Sequence, residues 1–250
     1  PPYYLPRGRN VYLAERIKQA VRIPVTCVGG ITDPEMAEEI IREGKADIVA
    51  MTRAILADPQ WPNKACRGRR REIIPCTRCL ECLGRVATFL PVRCAVNPVT
   101  GRETELERVP AAEQKKRVMV VGGGPAGLEA AITAASRGHQ VTLYEKTERL
   151  GGNLILAAIP SFKEDTRRFL DYLVDRVRDL PIQVKLSTEA NAETIEKAHP
   201  DVLILAVGAD PLIPEIPGVD RPSVVWAGDV LAGSAQAGEA VVIAGGGLIG

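Results

Sequence analysis

Two segments of this chain repeat one pattern. Val118 to Gly127 and Val241 to Gly250 each run from a short apolar stretch directly into spaced glycines. In the first, Gly122, Gly124 and Gly127 form G-x-G-x-x-G, with Ala126 inside the loop, between an expected strand and an expected helix. That arrangement carries a pyrophosphate onto a helix N-terminus. The first glycine permits the tight turn, the second lets phosphates approach the backbone, and the third lets helix pack on strand. Ala131 and Gly138 keep the helix slim, and Glu145 ends the next expected strand, where a carboxylate can accept hydrogen bonds from ribose hydroxyls. A flexible turn is the alternative, and the surrounding strand, helix and acid argue against it. The second loop, Gly245, Gly247 and Gly250, has the strand, but its helix and acid would lie beyond the last residue. Two dinucleotide sites on parallel α/β units are therefore expected, with NADH and NADPH not separable.

Ahead of the first loop, Cys76, Cys79, Cys82 and Cys94 follow a C-x2-C-x2-C-x11-C pattern. Three sulfurs at that spacing can wrap one face of an iron–sulfur cluster, and a fourth from a later loop can close it. Zinc is the rival, although structural zinc sites usually draw two ligands from each of two knuckles. Disulfides are a third option, disfavoured because the rest reads as an intracellular nucleotide-binding enzyme whose thiols stay reduced. A cytoplasmic location is expected on that ground.

The remaining pattern alternates. Asn10 is a candidate N-cap for a helix bearing Val11, Ala14, Ile17 and Val21, and Val25 to Val28 forms a strand. Thr32 with Glu35 reads as a capping box for a helix through Ile41, ended by Gly44. Asp47 to Met51 is the next strand, then a short helix through Ile55 and Leu56, giving a parallel sheet or barrel. Residues 63–110 look loop-rich, ordered by a bound centre rather than a core. Beyond them, strands are expected at 118–121, 141–144, 184–186 and 202–207, with helices at 126–137 and about 162–178. The segment with Pro211, Pro214, Pro217 and Pro222 reads as an extended connection, and 236–239 as a linker. Domain boundaries follow: 1–62, 63–110, 111–240, and 241–250 as the start of a further nucleotide-binding unit.

Composition removes several classes of function. Thirty-two basic against 31 acidic residues leave a net charge of +1, so no broad footprint for nucleic acid exists. With 46% hydrophobic residues and no apolar run of bilayer length, no membrane span is expected. No Ser–His–Asp arrangement or histidine pair suggests hydrolysis. His139 and His199 read as structural or solvated, and Cys27 and Cys66 as core or helix residues outside the cluster spacing. Gly151 and Gly152 could make a second backbone approach to a nucleotide or a plain turn. Gly208 reads the same two ways, and Gly228 with Asp229 reads as a strand-end turn in preference to a flavin-ribityl contact. Opening on Pro1 and stopping at Gly250, the sequence is expected to be a fragment, so a targeting signal cannot be judged.

Together these residues resemble the flavin oxidoreductases that join an old-yellow-enzyme-type barrel to a two-nucleotide module, including 2,4-dienoyl-CoA reductases and trimethylamine dehydrogenases. The segments 6–15, 25–31 and 51–59 look like the last part of that barrel, so the resemblance implies the C-terminal part of a TIM barrel, an iron–sulfur segment and a Rossmann-like domain. It implies FMN phosphate at Gly29, Gly30, Thr52 and Arg53, where a barrel's phosphate site commonly lies. The family often has glycine at the position of Thr52. A 4Fe-4S cluster is implied on the four cysteines, FAD on Gly122, Gly124, Ala126, Gly127, Glu145 and Gly152, and NAD(P)H on the second loop. The resemblance implies reduction of an activated carbon–carbon double bond in an unsaturated acyl-CoA, enoate or enone. An amine dehydrogenase, an electron-transfer flavin subunit and a zinc-stabilised binding module are the alternatives. Substrate acid and base residues and oligomeric state are not readable.

Overall fold

The computed structural model describes residues 2–106 and 110–245. The chain divides into two compact units, one ending at Gly208 and the other beginning at Ala209.

The first unit starts with α1 (Val11–Ala20), β1 (Thr26–Val28), α2 (Pro34–Arg42), β2 (Ile48–Ala50) and α3 (Arg53–Ala57). β1 and β2 pair in parallel, with Cys27 opposite Val49. Cys27 is 1% exposed in a core with Ala14, Val25, Ile31 and Ile40, so it is a packing residue as expected. Asn10 stands at the N-cap position of α1 as expected, but its side chain makes no capping bond; its amide donates instead to the Val28 carbonyl at 2.9 Å. Nor does Thr32 cap α2. The cap falls one residue later, where Asp33 accepts from the Glu35 N–H at 3.1 Å and Pro34 occupies the first helical position.

The cysteine segment carries more regular structure than its weak periodicity suggested. It contains most of α4 (Trp61–Cys66), a 3-10 turn (Arg70–Glu72), α5 (Glu81–Ala87) and α6 (Glu103–Leu106). Trp61, Ala54 and Ile73 form a small core of their own.

Then come β3 (Arg117–Val121), α7 (Pro125–Ser136), β4 (Gln140–Tyr144), α8 (Asn153–Ala157), a 3-10 turn (Ser161–Lys163), α9 (Glu164–Asp179), β5 (Ile182–Lys185), α10 (Ala192–Ala198) and β6 (Val202–Leu205). The strands are parallel in the order β5-β4-β3-β6. β3 is central because Val118 to Val121 are all buried, one face against α7 and α9 and the other against Ile195 and Ala198 of α10. Buried on both faces, such a strand reads as a continuous apolar run. β5 starts two residues earlier and ends one earlier than expected, β6 stops at Leu205, and α8 and α10 were not foreseen.

In the second unit, α11 (Ala227–Ala232) places Gly228 and Asp229 in a helical first turn rather than a strand-end turn. The strand expected at Val241 joins no ladder among the described residues, and Val242 is 96% exposed. Among the described residues no helix is long and apolar enough to cross a membrane.

Candidate functional site

Gly29 and Gly30 follow β1, and Thr52 and Arg53 follow β2, so parallel pairing brings both turns to one end of the strands. These four line a cavity of about 520 Å³ together with Arg9, Asn10 and Thr32. That volume suits a small-molecule ligand. Asn10 crosses Gly29 so closely that a Cβ there would lie 2.8 Å from its Nδ2. Thr32 is the residue that sequence reading misplaced. It is 7% exposed, and its hydroxyl has no hydrogen-bond partner among the described residues. A buried polar atom is rarely left unpaired. An unpaired hydroxyl in a cavity wall with two arginines fits a polar, anionic occupant such as FMN.

The cysteine loop touches the N-terminal segment that lines this cavity, where Arg78 Nη1 donates to the Leu5 carbonyl at 2.7 Å. Burial pushes the Cys76 thiol up to about 11; the Arg78 N–H and the Arg53 charge act against it, and the neighbouring Cys94 and Cys79 add to it. Cys94 is also raised by burial, opposed by the N–H groups of Val96 and Asn97 and reinforced by Cys79 and Cys82. Cys76 thus has Cys79 and Cys94 within electrostatic reach, and Cys94 has Cys79 and Cys82. All six cysteines are free thiols in this structure. Among the described residues no group of three or more converges tightly enough for one metal ion. Thiolates around a multi-iron core stand wider apart than around one ion, because the inorganic sulfide lies between them. The loop is tightly coiled: Arg78 and Leu80, flanking Cys79, take φ of 53° and 66°, a region non-glycine residues seldom occupy. Backbone N–H groups aimed at sulfur are among the features that tune iron–sulfur sites. Four thiols with backbone N–H groups directed at two of them are the donor chemistry that iron–sulfur sites use.

A second short path links cavity and cysteines. The Leu56 carbonyl, in α3, accepts from Asn97 Nδ2 at 3.0 Å and Thr100 Oγ1 at 2.7 Å, just after Cys94. Nothing in the spacing of these residues announced that contact.

At the first glycine loop a Cβ on Gly127 would sit 1.8 Å from the Gly122 carbonyl oxygen, and one on Gly122 2.2 Å from that of Ala206. Those glycines are needed for packing inside the protein. Gly124 differs, since a Cβ there would meet only Gly152, at 4.0 Å, while one on Gly152 would lie 3.0 Å from the Gly124 backbone. The two backbones leave a narrow open cradle that fits a pyrophosphate. Sequence reading treated Gly123 as a spacer, yet its N–H donates to Glu145 Oε2 at 2.7 Å and its carbonyl accepts from the Gly151 N–H at 2.7 Å. Glu145 also accepts from the Thr147 N–H and hydroxyl, each at 2.8 Å. Burial acts to raise its carboxyl, but these donors and the Lys146 charge outweigh burial and hold it below the usual range. Glu145 therefore braces the loop, whatever else it contacts. Ala126 lies in the first turn of α7. Gly245 has φ 116°, and Gly247 and Gly250 lie outside the described residues.

The chain is similar to several known proteins. Residues 116–250 match the family described as pyridine nucleotide-disulphide oxidoreductase, and residues 7–72 the NADH:flavin oxidoreductase / NADH oxidase family. An NADH oxidase of Thermoanaerobacter brockii is 49% identical over all of this chain and 39% of its own length. A cinnamate reductase of Clostridium sporogenes is 41% identical, over all of this chain and 37% of its own. The structure of a 2-naphthoyl-CoA reductase complex superposes with a TM-score of 0.89 at 36% identity, covering 95% of this chain and 36% of that one. The chain thus spans less than two fifths of each relative's length. With a barrel segment ahead of a doubly wound nucleotide module, the chain belongs to the flavin oxidoreductases that join an NADH:flavin oxidoreductase barrel to a pyridine nucleotide-disulphide oxidoreductase module.

Proposed function

We propose that the protein of which this chain forms part is an NAD(P)H-dependent flavin and iron–sulfur oxidoreductase that reduces an activated carbon–carbon double bond. Its substrate would be an unsaturated acyl-CoA, an enoate or an enone. The observation that carries this reading is spatial: Arg78, within the cysteine loop, donates through Nη1 to the carbonyl of Leu5, a residue that lines the cavity, at 2.7 Å. Support comes from the relatives, since a cinnamate reductase and a naphthoyl-CoA reductase share this part of the chain.

On this reading residues 1–62 close an FMN barrel, 63–110 hold the cluster, 111–240 hold FAD, and 241–250 begin the nicotinamide unit. The cofactors, when bound, supply hydride and single-electron chemistry. The chain's own residues bind and orient. Gly29, Gly30, Thr52 and Arg53 would hold the FMN phosphate, and the Thr32 hydroxyl would gain the partner it lacks. Cys76, Cys79, Cys82 and Cys94 would ligate a 4Fe-4S cluster. Gly122, Gly124, Ala126, Gly127 and Gly152 would take the FAD pyrophosphate, with Glu145 at the ribose while it braces Gly123. Gly245, Gly247 and Gly250 would begin the NAD(P)H site. We place the protein in the cytoplasm, where thiols stay reduced.

The test is anaerobic turnover of the full-length holoenzyme. NAD(P)H oxidation that depends on added cinnamate or a 2,4-dienoyl-CoA supports the proposal. Reduction of the enzyme by a methylated amine, with no enoate-dependent NAD(P)H oxidation, would instead make it an amine dehydrogenase.

A further inference from the structure

Arg78 sits inside the Cys76-to-Cys79 knuckle yet its side chain points away from the thiols, and it is 5% exposed. Its Nε donates to Asp165 Oδ2 at 2.5 Å, Nη1 to the Leu5 carbonyl at 2.7 Å, and Nη2 to the Tyr3 carbonyl at 3.1 Å. Asp165 lies in the first turn of α9, in the nucleotide module, and is 1% exposed. Its other oxygen accepts from Arg7 Nη2 at 2.6 Å. Pro2 and Leu5, in the same N-terminal segment, line the flavin cavity. The Arg78 backbone N–H is directed at the Cys76 sulfur. One residue therefore touches the cavity wall, the thiol loop and the nucleotide module.

A buried ion pair is a poor device for stability alone, because desolvation offsets most of its attraction; its best-attested use is to fix one arrangement among several. The guanidinium suits that use, since its planar fork sets the directions of several bonds at once. The left-handed φ of Arg78 has the same consequence, because this strained conformation persists only where surroundings determine it.

We propose that Arg78, held by Asp165, is a positioning residue that sets where the thiolate loop stands between the flavin cavity and the nucleotide module. This deepens the function proposed above and rests on it.

The test uses full-length holoenzyme carrying Arg78→Lys or Asp165→Asn, with Arg117→Gln as control. Arg117 pairs with Asp201 in an exposed position far from the loop in sequence. Iron, sulfide and flavin are counted first; wild-type protein without iron defeats the underlying function rather than this inference. NAD(P)H is then added anaerobically, and flavin bleaching is timed against the reduced-cluster electron paramagnetic resonance signal, normalised to iron. In both variants bleaching should stay within about twofold of wild type while cluster reduction slows about tenfold or more, the scale on which small misplacements act. Loss of iron with both flavins retained is the same result in stronger form. Normalised cluster reduction at the wild-type rate overturns the proposal. Iron and flavins lost together also overturn it, because the pair would then merely stabilise the fold.

Discussion

Arg78 Nε donates to Asp165 Oδ2 at 2.5 Å across 87 residues of sequence, with both side chains buried. The contact joins the cysteine loop to the first turn of α9, and Arg7 occupies the same carboxylate from the N-terminal segment. Asp165→Ala leaves the buried Arg78 guanidinium without its acid, and half-buried Arg7 with only Glu164, at 3.4 Å. The expected loss is about 3–5 kcal/mol, the cost of breaking a buried pair from one side. Denaturant unfolding of the variant and wild type measures it, and a loss below about 1 kcal/mol would contradict the assignment.

Gly127→Ala forces a Cβ into the Gly122 carbonyl oxygen. Overpacking of this kind costs about 1–3 kcal/mol. Should the loop absorb that cost, FAD affinity falls roughly ten- to a hundredfold. FAD retained after desalting reports the result. The cysteine segment should keep its iron.

Thr32→Val removes a buried hydroxyl that has no partner. FMN-free protein should therefore be no less stable, and FMN should bind about tenfold more weakly if the hydroxyl reaches it. Flavin titration of the deflavinated holoprotein measures both effects. Unchanged affinity would remove Thr32 from the site.

Glu145 has a carboxyl held below its usual range when folded. Its unfolded value is near 4.3, so its contribution is fully present above about pH 5 and fades as pH falls through the lower folded value. Glu145→Gln should flatten this acid limb of stability while costing about 1–3 kcal/mol at neutral pH, through weaker bonds to Gly123 and Thr147. Urea midpoints from pH 3 to 8 test this. A variant with the wild-type acid limb would show that the brace is not titrating.

How much of this was legible follows from where each signal lives. The run Val118 to Val121 is apolar on both faces, so its place as the central strand could be read directly. G-x-G-x-x-G marks a local turn, and local turns are carried by neighbouring residues. Thr32 was misread because a capping box looks only at spacing, whereas Pro34 at the first helical position leaves the cap to Asp33. α8, α10 and α11 are seven residues or shorter, too brief for periodicity to distinguish from loop. Arg78 and Asp165 escaped notice for another reason: a charged residue carries no mark that it will be buried by a partner far along the chain.

Electron transfer in the proposed enzyme requires that four thiolates hold an iron–sulfur cluster between a flavin cavity and a nucleotide loop. Counting iron, acid-labile sulfide, zinc and flavin in full-length protein purified without oxygen tests it most directly. The expected result is about four irons and four sulfides per chain, with FMN and FAD both present and zinc absent. Stoichiometric zinc without sulfide, or a flavoprotein with no metal, would contradict it.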